Sequence, residues 1–182
     1  MAYIPLLLTA ALLVWFVAAY NKLVRLRNQV KNAWHQIEVQ LKRRYDLIPN
    51  LVEVVKDYMT YEQETLSKVI EARGAALSAK GAAAQAKAEN VLTESLKSLF
   101  AVVENYPDLK ANRNVASLQE ELTATENKIS FARQFYNDSV MTYNNATQSI
   151  PSNVIASFFQ FAQEAYFETE AGSRSVPKAD LR

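Results

Sequence analysis

The chain has no cysteine, one histidine and three glycines among 182 residues. Without Cys there is no disulfide, no thiol nucleophile, no zinc knuckle and no lipid-modified lipoprotein cysteine. A di-iron bundle needs Glu-x-x-His on two helices. His35 is the only histidine and has no acid three residues before it. It also has no recognisable nucleophile motif near it, as a hydrolytic triad would require. No Gly-rich phosphate loop is present. The composition therefore points away from enzymes, metals and cofactors. A net charge of +1 gives no general attraction to nucleic acid, so no nucleic-acid partner is expected. Scarce Gly and five Pro, beside abundant Ala, Leu, Lys, Gln and Glu, argue for an all-α protein of one domain.

Ala2 to Asn21 carries no charge. About 20 such residues in a helix span the roughly 30 Å hydrocarbon core of a bilayer. Pro5 sits in the first turn, where its missing N–H costs little. Tyr3 and Tyr20 lie where an interfacial aromatic belt would place them. Residues 1–21 are read as a transmembrane anchor. The rival reading is a cleaved signal peptide with Val17-Ala18-Ala19 as the small-residue site, although no positive stretch precedes the apolar run. Lys22, Arg25, Arg27 and Lys31 follow at once, and no acid appears before Glu38. Such a bias places the following domain on the cytoplasmic side. The same cations are also positioned to attract anionic lipid, at about 1 kcal/mol each near the surface.

From Tyr20 to Val55 apolar residues recur at steps of 3-4-4. Leu26, Ile37, Ile48 and Met59 are eleven apart, as are Leu23, Trp34 and Tyr45, and Val30, Leu41 and Val52. An eleven-residue repeat is about 3.67 residues per turn, close to an unstrained helix. One long helix with a single sticky stripe is expected. Pro49 predicts a kink near Tyr45–Ile48. Apolar spacing continues through Val55 and Tyr58 to Leu66, Val69 and Ile70, which suggests that the helix runs on.

Residues 72–88 are Ala-rich and form the expected tip of a hairpin, breaking near Lys80-Gly81. A second helix resumes near Ala83 and stops before Tyr106-Pro107, because a residue before Pro is pushed out of the helical region. Asn112 or Asn114 can cap a third helix of about 35 residues. Its apolar stripe is Leu118, Leu122, Ile129, Ala132, Tyr136, Val140 and Tyr143. A short terminal helix is expected over residues 152–168, and a disordered tail over 171–182. The resulting fold class is all-α: a single N-terminal transmembrane helix continuing into an elongated antiparallel bundle of three to four long helices, over residues 22–170.

Two groups stand out as candidate sites. A polar row of Gln119, Glu126, Arg133, Asn137 and Asn144 lies beside the third helix's stripe. Glu126 and Arg133 can pair with Arg44 and Asp46 between helices and fix register. The alternative is a small-ligand or partner site. The terminal aromatics Phe158, Phe159, Phe161, Tyr166 and Phe167 surround their helix, so some are expected to stay exposed, for another subunit or for lipid. Burial against the first helix is the other reading.

The stretches YNKLVRLRNQVKNAWHQIEVQLKRRYDLIPNLVEVVK, ENYPDLKANRN, LQEELTATENKISFARQFYN and IPSNVIASFF, in this order, resemble the signature of the bacterial LemA family from Tyr20 to about Glu168. Gln160 departs from the pattern, standing where the family often has Gly. The resemblance implies a membrane-anchored, all-helical protein of the bacterial cytoplasmic membrane, with no known catalytic residues. Trp34, Arg43, Asp46, Pro49, Glu126, Arg133 and Asn137 fall in the family motifs and are expected to shape the bundle or its interfaces.

The leading functional expectation is a non-enzymatic scaffold that self-associates and organises or remodels membrane, with lipid and further copies of itself as partners. The alternative is an accessory or regulatory subunit of another membrane protein, such as a protease or transporter.

Overall fold

The structure is a computed structural model, which describes residues 3–59 and 61–167. The tail over 171–182, expected to be disordered, lies outside the described residues. Among those described the chain is helical, with no strand. The helices are α1 (Tyr3–Val55), α2 (Gln63–Ser78), α3 (Ala82–Val103), α4 (Pro107–Lys110), α5 (Arg113–Gln148) and α6 (Ser152–Phe158). They form two compact units. One lies within Met1–Asp46 and Glu121–Tyr166, the other within Leu47–Glu120 and from Phe167.

In the first unit, α1 begins as a fully exposed apolar helix that is long enough to cross a membrane. Beyond Tyr20 it buries one stripe of Leu23, Val30, Ala33, Ile37, Leu41 and Tyr45. Helix α5 answers with Leu122, Ile129, Ala132, Tyr136, Val140 and Tyr143. The stripes meet because both sequences place apolar residues three and four apart, on one helical face.

In the second unit α1 carries Pro49 within it and continues to Val55. The sequence suggests a helix running on through Tyr58, yet the chain turns between Val55 and Gln63. Tyr58 and Met59 donate to the Val55 carbonyl, and Glu62 donates to Met59. Val54, Val55, Tyr58 and Tyr61 are weak helix formers, and burial of Met59 holds the turn. Helices α2 and α3 form a hairpin. Gly81, with φ of 82°, makes the turn between them, in a region where only Gly is unstrained. Leu66, Val69, Ala72 and Ala76 of α2 are buried, as are Leu92, Leu96, Leu99 and Val103 of α3. The Gln85 amide donates to the Ala76 carbonyl and to Glu89. Asn112 caps α5 by accepting from the Asn114 N–H at 2.9 Å.

The terminal helix is shorter than the expected 152–168. Helix α6 ends at Phe158. Gln160 turns left-handed with φ of 56°. The Phe161 N–H then donates to Ala156 at 2.8 Å and the Gln160 N–H to Ser157. This is the Schellman arrangement, completed by apolar contact between the residue after the turn and the last full turn. Phe161 and Ala156 are both buried. A left-handed non-Gly residue costs about 1–2 kcal/mol, a cost Gly would not carry. Gln160→Gly is therefore expected to stabilise the full-length protein by about 1 kcal/mol, part of the relief being lost to unfolded-chain entropy. Thermal unfolding in detergent should rise by roughly 2–4 °C; no rise would contradict the left-handed turn.

Candidate functional site

Helices α1 and α5 pack antiparallel in the first unit, and two contacts fix the register. The Trp34 ring meets Tyr136 edge-on at 5.4 Å. Ten residues further along α1, and ten back along α5, Arg44 pairs with Glu126 at 2.6 Å. The Arg44 side chain is only 3% exposed. Removing one partner of a buried pair costs about 3–5 kcal/mol, and somewhat less here because Glu126 is partly open. Arg43 and Glu121 are 3.5 Å apart and half-exposed, a geometry worth about 0–1 kcal/mol. Arg44–Glu126 is therefore the pair that sets register.

The other residues singled out in the sequence are distributed as follows. Arg133 is buried on the same face of α5, and Asn137 is half-buried beside it. Asp46 and Pro49 are exposed. Glu38 accepts from the Trp34 indole N–H at 2.6 Å and contacts His35 Nδ1 at 2.8 Å, so His35 is a surface residue. Lys22, Arg25 and Lys31 are exposed. The Arg27 guanidinium lies over the Phe161 ring, 5.1 Å from its centre, a cation–π contact.

After α6 the chain forms a non-helical strap, residues 161–167, laid back along α5 within the first unit as far as Tyr166. Asn144 grips it twice: its amide donates to the Glu164 carbonyl at 2.9 Å, and its side-chain oxygen accepts from the Glu164 N–H at 3.0 Å. The Tyr143 hydroxyl donates to Ala162, and the Tyr136 hydroxyl to Ala165, each at 2.9 Å. A strap has no helical ladder of its own, so these side chains take the place of backbone partners. The sequence reading placed Tyr136 and Tyr143 in an apolar stripe and missed this role. Their hydroxyls were the available signal, since a buried hydroxyl or amide requires a partner.

The strap and α6 place aromatics against the anchor end of α1. Phe159 meets Tyr20 at 4.7 Å and Phe16 at 6.0 Å, and Phe161 meets Tyr20 at 5.8 Å. Phe161 is buried, whereas Phe158 and Phe159 stay exposed. Further along, Val39, Phe131 and Phe135 border an apolar groove of about 550 Å³ on the α1–α5 pair, with His35 and Lys128 at its edge. Among the described residues no three His, Asp or Glu side chains gather to hold a metal ion.

An apolar N-terminal helix leading into paired α1 and α5 defines a membrane-associated helical protein. The LemA family model matches residues 33–180, and the chain belongs to the LemA family. It is similar to Protein LemA of Metamycoplasma hominis, at 26% identity over 92% of this chain and 77% of the relative. It is also similar to magnetosome protein MamQ 2 of Paramagnetospirillum magneticum, at 24% identity over 95% and 74%. A third relative is magnetosome protein MamQ of Magnetospirillum gryphiswaldense, at 23% identity over 97% and 75%. None of these names denotes an enzyme.

Burial raises the Tyr136 hydroxyl above its ordinary value near 10, and the Glu164 carboxylate adds to the shift. Burial and then Glu164 raise Tyr143 in the same way, opposed weakly by Arg27. A raised native value favours the protonated ring. The stability it contributes is complete below the unfolded value, about 10, and is lost as pH rises through the native value. Denaturant midpoints of the full-length protein should fall between about pH 9 and pH 12. In the Tyr136→Phe, Tyr143→Phe variant the alkaline fall should be smaller, at a neutral-pH cost of about 1 kcal/mol per lost bond. Equal alkaline losses in both proteins would contradict the strap's fastening.

Proposed function

We propose that the chain is a non-enzymatic scaffold of the bacterial cytoplasmic membrane, with its helical units on the cytoplasmic side, whose copies associate side by side and organise or remodel that membrane. The observation that carries this reading is the exposed apolar face of Val39, Phe131 and Phe135. Phe131 is 73% exposed and sits next to the groove it borders. Val39 is 17 residues beyond Lys22, about 25 Å along the helix. That is too far to reach the lipid, so this face suits a protein. Anchors hold all copies in one plane with one orientation, which raises their effective concentration. An exposed apolar groove lined by Phe131 and Phe135 can pack against the same surface of another copy in a two-fold pair. The lack of enzyme names among the relatives agrees with a structural role. Basic residues beside the anchor, with no acid before Glu38, support the cytoplasmic placement.

Light scattering and electron microscopy on the full-length protein in mild detergent test this directly. Large assemblies are expected for the native chain. The Phe131→Asp, Phe135→Asp variant should fall to small species while keeping its helical circular dichroism. A monomeric native protein would overturn self-association and favour an accessory subunit with a different membrane-protein partner.

A further inference from the structure

We propose that α6 and the turn before it lie in the membrane interface, inserting Ile150, Val154 and Phe158 into lipid beside the anchor. The three residues are 86%, 68% and 77% exposed and spaced by four. Val154 and Phe158 share one face of α6, whereas Ile155 and Ala156 on the other face are buried. In water this would be a row of large apolar side chains with nothing covering it.

The position of the row identifies what covers it. Phe159, next to Phe158, has its ring 6.0 Å from Phe16 and 4.7 Å from Tyr20. At the other end of the segment, Ile150 borders a groove with Trp15 and Ala19. Phe16 and Trp15 precede the first charge, Lys22, by six and seven residues. At about 1.5 Å per residue they lie roughly 9–10 Å inside the uncharged run. An interfacial helix sinks its apolar face about 5–10 Å into the boundary of headgroups and acyl chains. The depths agree.

Charge points the same way. No Asp, Glu, Lys or Arg occurs between Asp138 and Glu164, so no charge in the segment opposes insertion. Lys22 and Arg25 border the groove behind Ile150, where lipid phosphates would meet them. The terminal segment thus acts as a second membrane contact. It is held by the Asn144-bound strap and is independent of the assembly face at Phe131.

The absence of native Cys makes single-site spin labelling clean. Labels at Val154→Cys and Phe158→Cys go into the full-length protein in vesicles of phosphatidylethanolamine and phosphatidylglycerol. Collisions with oxygen, which partitions into lipid, are compared with collisions with a water-soluble nickel chelate. Leu13→Cys in the anchor and Asp138→Cys on exposed α5 give the lipid and water references. Both sites are exposed; Phe158→Cys gives up the edge contact with Phe159 at 5.0 Å, and Val154→Cys gives an independent reading. The expected result is an oxygen-to-nickel ratio at 154 and 158 well above that of the Asp138 label and below that of the deeper Leu13 label, as an interfacial depth requires. A ratio matching Asp138 would overturn the proposal. Shielding from both probes, with spin–spin broadening that disappears on dilution with unlabelled protein, would overturn it in favour of a second copy on this face. A water-like ratio at Leu13 as well would overturn the anchor together with the proposal.

Discussion

A backbone that leaves its helix still needs a partner for every buried N–H and C=O. In the first unit that need falls on the strap after Phe161, and the amide of Asn144 meets it with two bonds to Glu164. Much else follows from this one grip. The hydroxyls of Tyr143 and Tyr136 extend it along α5. The strap in turn brings Phe161 under the Arg27 guanidinium and keeps Phe159 on Tyr20 and Phe16. A polar face that would otherwise be costly inside a bundle thereby aims aromatic side chains at the anchor.

The grip depends on the register of α1 against α5. Apolar stripes supply most of the attraction but little register, because sliding by one turn still matches apolar with apolar. Arg44 and Glu126 add the selectivity, since a guanidinium this buried is costly without its carboxylate. Trp34 against Tyr136 repeats the same offset ten residues away. Tyr136 belongs to both systems, packing on Trp34 through its ring and holding Ala165 through its hydroxyl.

Features that repeat along one helix were legible in the sequence. The eleven-residue stripe of α1, the uncharged anchor and the polar row of α5 are each visible without tertiary information. The end of α1 at Val55 was not, because no Gly or Pro marks it and the apolar spacing runs straight through. The early end of α6 was hidden for a different reason. Gln160 occupies a left-handed position that Gly would have advertised. The strap's hydrogen-bond partners lie 19 to 29 residues earlier in the chain. Bonds at that distance leave no periodic trace.

Amide hydrogen exchange at Glu164, read residue by residue in the full-length protein in detergent, tests the account most directly. The Glu164 N–H should be strongly protected in the native chain. In Asn144→Ala it should exchange much faster, while the amides of α5 keep their protection. Free exchange at Glu164 in the native protein would contradict the strap, and with it the placement of the aromatics beside the anchor.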